Sequence, residues 1–388
     1  MARPRALPLL AVAYAATFAS AGLQLPFTSM AMQRVGFSMS AVGLMWAARS
    51  ALGILGPALW GTLADRRGDA RPFAAASLAC GAVLLLALSF ATTVPAAVLI
   101  FGLVGLLAGP AGSLLDGLTI TALGDRRERF GSWRAVGTVG FGVSSFAAAM
   151  LIDRQWLDPL PQRVFPLAAA LLVIAAFVAL ALPPLSRPRL GDTRVLLRHF
   201  ASRDMIGLFL TATLLWCSHV GYSAFLAPLA LDAGMPEWAI GASLFGAIVV
   251  ETVVLRSSWV ALGRFRGRSL MIGVAALAAA RWGALAMTSS PLVFVALHAL
   301  HGITFGLFFA TLVDMIATRA PPELRQAAQG AIGSSAFGVG GVLGSLIVGN
   351  ALDRVGPRGT WLVMAAVAVL ALLMAVFSLR REPPDPAL

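Results

Sequence analysis

Apolar residues fill this chain in runs of about twenty or more, and short polar clusters rich in arginine, glycine and proline separate the runs. A helix needs about that many apolar residues to cross a hydrocarbon core roughly 30 Å thick. The pattern predicts twelve spans, at 7–33, 38–63, 72–92, 95–122, 132–152, 164–184, 204–230, 237–262, 269–289, 291–318, 326–351 and 358–379. The longest polar interruption, carrying Arg187, Arg189, Arg194, Arg198 and Arg203, divides them into two sets of six. The expected fold is all-α and polytopic: a bundle at 1–184, a central loop at 185–203 and a second bundle at 204–388.

The two sets resemble each other. Ala41-Val-Gly returns as Ala239-Ile-Gly, Ser113-Leu-Leu-Asp116 as Thr311-Leu-Val-Asp314, and Phe141-Gly-Val as Phe337-Gly-Val, at offsets of 198, 198 and 196 residues. A parallel six-plus-six repeat is an architecture of secondary transporters, with the substrate site near the midplane between the repeats.

Composition agrees with the pattern. Of 388 residues, 59% are hydrophobic and 12% charged, against roughly 25% charged in soluble domains. The formal net charge of +12 comes from 29 basic residues, every one an arginine. Codon bias of a GC-rich genome accounts for the absence of lysine. Twenty of these arginines fall in alternate loops on one side and five on the other, with four inside spans. The bias places both termini and the central loop in the cytoplasm, in a cell (inner) membrane, and makes the lipid bilayer, rather than nucleic acid, the partner of the positive charge. The start, Met1-Ala-Arg-Pro-Arg, opens like a signal peptide, but the apolar run after it is too long and reads as the first span. Cys80 and Cys217 lie in separate spans and imply no disulfide framework and no metal site. No GxxxxGK[ST], HExxH or GxSxG motif occurs, so no cofactor, nucleotide energy source or intramembrane enzyme is expected.

Charges inside spans point to chemistry, because each costs about 2.5–3.5 kcal/mol on insertion scales and normally pairs or faces a water-filled cavity. Asp116 lies deep in the fourth span and Arg134 early in the fifth, joined by the polar hairpin Gly124-Asp-Arg-Arg-Glu-Arg129. The hairpin lets the two meet. Arg134 is then a candidate substrate contact, held by Asp116, with Gly137 and Gly140 keeping that helix face open and Phe141 as an apolar wall. His219 and Tyr222 share a face of the seventh span by their spacing; either a structural hydrogen bond or a substrate contact suits them. Arg49 either enters the cavity or snorkels to an interface.

The loop Gly61-Thr-Leu-Ala-Asp-Arg-Arg-Gly-Asp-Ala-Arg71 resembles the signature cytoplasmic loop of the major facilitator superfamily. The resemblance implies a gating role for Gly61, Asp65, Arg66 and Gly68, with the glycine allowing close helix packing. Asp69 departs from the pattern, which usually has a basic residue there, and the second-half loop Gly263-Arg-Phe-Arg-Gly-Arg268 lacks the aspartate. Over nearly the whole chain the resemblance is to the proton-coupled symporters around lactose permease and, more closely, the phenylpropionate-type permeases. Phe130-Gly, Arg134, Gly137 and Gly140 are similar to a fifth-helix motif of that branch. Glu251, Arg281 and His301 stand where it has an eighth-helix glutamate, a ninth-helix arginine and a tenth-helix histidine, which implies that these three couple transport to a proton. Protonation of a buried glutamate depends on its dryness and on the distance of a cation, both of which change with conformation. Two departures matter: Thr304 occupies the position of a second, proton-carrying glutamate, and Phe141 replaces a sugar-stacking tryptophan. The resemblance implies a transporter, functional as a monomer, importing a small organic solute (an aromatic acid, a sugar or a nucleoside-like compound) with a proton. A proton-driven efflux antiporter and a non-transporting sensor on the same fold are the alternatives.

Overall fold

The structure, a computed structural model, describes residues 3–124, 126, 129–183, 203–319 and 325–379. The central loop expected at 185–203 lies outside the described residues except for Arg203, as do 125, 127 and 128 of the polar hairpin. Everything described is helix or connecting turn, with no strand among the described residues. In chain order the helices are α1 Arg3–Gln24, α2 Thr28–Arg34, α3 Met39–Arg67, α4 Arg71–Leu88, α5 Val94–Leu103, α6 Ala111–Leu123, α7 Phe130–Asp153, α8 Pro161–Leu180, α9 Arg203–Asp232, α10 Glu237–Arg264, α11 Gly267–Met287, α12 Pro291–Ala299, α13 His301–Arg319 and α14 Arg325–Ser378.

Eleven segments among the described residues are long and apolar enough to cross a membrane. The last, Ala336–Ser378, has 43 residues, about twice what one crossing needs. Gly356 breaks it at φ +66°, ψ −174°, a left-handed φ that glycine adopts without a Cβ penalty. Two spans therefore lie within α14, for twelve in all, as the sequence pattern predicts. Other spans are less regular than predicted. The first is divided between α1 and α2 at residues 25–27, around Pro26, which has no N–H to give a helix. The fourth widens into a π turn at Val104–Ala108 between α5 and α6. The tenth is interrupted at Leu300, between α12 and α13.

Within the first six spans, α1 packs on α7 and α8, α3 on α5, and α4 on α8; within the second six, α9 and α11 pack on α14, and α10 on α13. Across the halves the main contacts are α3 with α14 and α7 with α10, the second and eleventh spans and the fifth and eighth. These pairs exchange places under the repeat.

Backbone satisfaction explains where the halves touch. The first N–H groups of a helix have no partner inside it. At the start of α3 the amides of Met39 and Ser40 donate to the two carboxylate oxygens of Asp353 in α14, at 2.9 and 2.7 Å, and Ser38 caps the next, accepting from Ala41 N–H at 3.2 Å. At the start of α10 the amide of Trp238 donates to Asp153, the last residue of α7, at 3.2 Å. Asp153 and Asp353 play the same part in the two halves, each capping a helix of the other. Behind the Asp353 cap the helices close on small residues: a Cβ on Gly43 would sit 2.5 Å from the Ser345 carbonyl oxygen, and one on Gly341 2.6 Å from Ser50 Oγ. Nearby, Ser29 Oγ donates to the Ala224 carbonyl at 2.5 Å, and Gln33 reaches Asp232 at 3.4 Å. This end of the molecule is shut. At the other end a Cβ on Gly61 or Gly263 would meet nothing within 4 Å.

A carboxylate at a helix N-terminus is worth about 0.3–1 kcal/mol, so the two together contribute roughly 1–2 kcal/mol. Asp153→Ala with Asp353→Ala is expected to shift the ratio of closed to open molecules about 5–30-fold. A cysteine at Ala47, 4% exposed on the buried side of α3, in a background without Cys80 and Cys217, would report this as faster maleimide labelling. Unchanged labelling would show that the caps do not hold the seam.

Candidate functional site

In the first half, α6 and α7 bring Asp116 and Arg134 together as the hairpin predicts: Arg134 Nε lies 3.1 Å from Asp116 Oδ1, with both side chains 31% exposed. The same oxygen accepts the Tyr14 hydroxyl of α1 at 2.7 Å, and Thr119 Oγ1 donates to the tyrosine oxygen at 3.1 Å. The guanidinium stands 4.1 Å from the ring centre of Phe18 and 5.6 Å from that of Tyr14. Aromatic faces attract cations, so α1 supplies both a hydrogen bond to the anion and a π surface to the cation. Phe141 is half-buried seven residues beyond Arg134 on α7. Gly137 and Gly140 differ from expectation. A Cβ on Gly137 would sit 2.9 Å from the Phe18 ring, and one on Gly140 2.8 Å from the Ala15 carbonyl oxygen. They do not hold a face open; they let α7 approach α1 closely enough for the Tyr14–Asp116–Arg134 network to form.

In the second half, His219 and Tyr222 of α9, Arg281 and Trp282 of α11, His298 of α12, and His301 and Thr304 of α13 form one buried aromatic and polar cluster. Tyr222 stacks on His301 with ring centres 3.8 Å apart, and His301 stacks on Phe305 at 5.5 Å. His219 Nδ1 donates to the Leu215 carbonyl at 2.7 Å, which leaves Nε2, 3.2 Å from Thr304 Oγ1, as an acceptor in the neutral ring. Thr304 thus replaces the expected acid with a hydroxyl that positions a histidine. Trp282 lies flat on Trp361, ring centres 5.5 Å apart, and His298 Nδ1 donates to Phe294 O at 2.9 Å.

Arg281 is 1% exposed, and Nε, Nη1 and Nη2 all lack a hydrogen-bond partner. Its guanidinium rests 3.7 Å from the Trp282 ring centre. Glu251 on α10 is half-buried where α10 crosses α13: Gly302 abuts its backbone, and a Cβ on Gly306 would be 3.7 Å from its Cγ. No described residue forms an ion pair with Glu251 or Arg281. The acid and the cation expected to act together stand apart in this conformation.

The signature loop is a helix end. Gly68 terminates α3 at φ +71°, its N–H donating to the Asp65 carbonyl at 3.3 Å, and Arg66 is exposed in the last turn. Gly61, expected to permit close packing, makes no close contact among the described residues: a Cβ there would meet nothing within 4 Å. The departure at Asp69 has a local purpose. Its carboxylate accepts the Arg71 amide at 3.0 Å at the start of α4 and pairs with the Arg71 guanidinium at 2.7 Å, while Arg71 Nη1 donates to the Leu182 carbonyl at 2.5 Å. The bonds from Arg71 hold the Asp69 carboxyl below the usual carboxylate range.

The MFS_1 like family matches residues 7–363. The chain belongs to that family. A maltose permease of Geobacillus stearothermophilus is 24% identical over 388 residues, covering 98% of this chain and 96% of that one. The nucleoside transporter NupG superposes with a TM-score of 0.85 at 18% identity, covering 97% of this chain and 99% of that one. An inward-facing, occupied bacterial homolog of the human lysosomal transporter Spinster superposes at 0.79 with 14% identity, covering 99% of each. This member of the MFS_1 like family is a multi-pass membrane transporter of the major facilitator type with a small-molecule substrate, and not an enzyme.

Tyr14, Phe18 and Thr119 are the members of the first-half network that sequence reasoning missed. One signal was present: the chain has two tyrosines, Tyr14 and Tyr222, and each belongs to a polar cluster. If Asp116 and Arg134 act as a unit, removing one charge strands the other. Asp116→Asn and Arg134→Gln should each lower thermal stability more than the double variant does, with a coupling of about 0.5–3 kcal/mol in a double-mutant cycle. Additive losses would show two independent residues.

Proposed function

We propose that this transporter is a symporter of the inner membrane that imports a small organic solute with a proton by alternating access, with both termini in the cytoplasm and residues 1–184 and 204–388 as the two moving bodies of a functional monomer. One observation carries the reading. Arg134 in the first half has its anion in Asp116; Arg281, buried in the second half, has none, while Glu251 of α10 is also without an ion pair among the described residues. A carboxylate and a guanidinium that are apart in one conformation can approach in another, so helix movement alters the protonation of Glu251. His301 stands on α13, the helix that packs on both α10 of Glu251 and α11 of Arg281.

Solute recognition falls to Asp116 and Arg134, with Phe141, His219 and Tyr222 as the surrounding surfaces. A guanidinium offers five donors in a planar fork, which suits vicinal hydroxyls or a carboxylate. The likeness to a maltose permease and to a nucleoside transporter supports a sugar or a nucleoside-like solute, and the aromatic walls suit a ring-bearing acid equally well. Gly61, Asp65, Arg66 and Gly68 form the cytoplasmic gate. The sealed caps at the opposite end support a conformation closed on the outer side under this orientation.

Exchange of solute needs no net proton movement, whereas accumulation does. Glu251→Gln in proteoliposomes is expected to retain counterflow of labelled solute and to lose accumulation under an imposed pH gradient. Accumulation at the wild-type level would remove Glu251 from the coupling step.

A further inference from the structure

Buried polar atoms without partners gather at one further place, inside the first six spans. A cavity of about 160 Å³ lies there, with Thr17, Gln24 and Arg49 as its polar groups and Phe18, Leu78 and Leu172 among its apolar walls. Arg49 Nε, Gln24 Oε1 and Thr17 Oγ1 are buried without a hydrogen-bond partner, and Gln24 is 7% exposed. No carboxylate lines the cavity. The guanidinium has only two aromatic neighbours, Trp46 at 5.3 Å and Phe101 at 5.5 Å. Arg49 is half-buried, and such contacts contribute about 0.5–2 kcal/mol, which does not replace a counter-charge. Arg49 does not snorkel to an interface.

The backbone holds Arg49 in place. Gly105, in the π turn, lies so close to the Arg49 carbonyl that any Cβ there would overlap it. π turns occur frequently at functional sites, and this one forms part of the cavity wall. Phe18 lines the cavity and also carries the Arg134 guanidinium on its ring, so the cavity adjoins the Asp116–Arg134 network.

We propose that the Arg49 cavity binds the carboxylate of a small acid with an apolar body, which makes an aromatic or aliphatic monocarboxylate the solute class. The proposal rests on the reading of the protein as a solute carrier. An uncharged ligand would leave the cation uncompensated, whereas a carboxylate neutralises it and accepts two of its N–H groups. Drug-sized ligands occupy roughly 300–1,000 Å³, so this cavity suits a head group and one ring and excludes a disaccharide.

Benzoate and its uncharged isostere benzamide test this on the purified full-length protein. Benzoate should raise the melting temperature saturably and benzamide should not. Arg49→Gln should abolish the shift, and Arg49→Lys, keeping the charge without the fork, should weaken benzoate by about tenfold or more. Should Arg49→Gln aggregate, the lysine variant decides. Equal shifts from both compounds, an undiminished benzoate shift in Arg49→Lys, or a shift lost in Arg134→Gln but kept in Arg49→Gln would overturn the proposal. Uptake of labelled benzoate under a pH gradient separates this from the symport reading. Binding through Arg49 without uptake would overturn symport of this acid and leave the site, while uptake that survives Arg49→Gln would overturn the site and leave symport.

Discussion

The amide groups that begin a helix must find an acceptor, and the seam between the two halves is built on that need. Asp353 accepts both leading amides of α3, and its counterpart Asp153 accepts one from α10. Each cap crosses from one half to the other, so closing this end satisfies backbone groups that opening would return to water. The small residues behind the Asp353 cap, Gly43 against Ser345 and Gly341 against Ser50, let the backbones come near enough for it to form. Carboxylates at helix N-termini are worth only about 0.3–1 kcal/mol each. A seam held by a few such terms can both close and reopen.

The two halves repeat in sequence and differ in electrostatics. Arg134 is paired and also lies on two rings of α1, whereas Arg281, buried, and Arg49, half-buried, lie against aromatic rings alone. Two spans that correspond under the repeat, the fourth and the tenth, both depart from α geometry near mid-length, with the π turn at Val104–Ala108 and the interruption at Leu300. Each irregularity sits beside a polar cluster, Arg49 in one case and His301 in the other. Irregular backbone at membrane depth is tolerated where it is buried in protein or lines a cavity, which fits both places.

The sequence by itself determined the number of spans, the twofold repeat and the meeting of Asp116 with Arg134, because each follows from local information: the length of an apolar run, an offset, or two charges at the ends of one hairpin. The resemblance to the proton-coupled symporters marked Glu251, Arg281 and His301. Tertiary structure alone decided what those charges touch. Tyr14 and Phe18 join the pair from more than a hundred residues away, and nothing in the local pattern of the first span announces it. Gly137 and Gly140 read as space for a ligand and proved to be contacts with α1, because a glycine says only that a neighbour or a cavity is near. Arg49 was undecided for the same reason. Whether a charge in an apolar run is paired, stacked or left to face a cavity depends on helices distant in sequence, and only their packing fixes the answer.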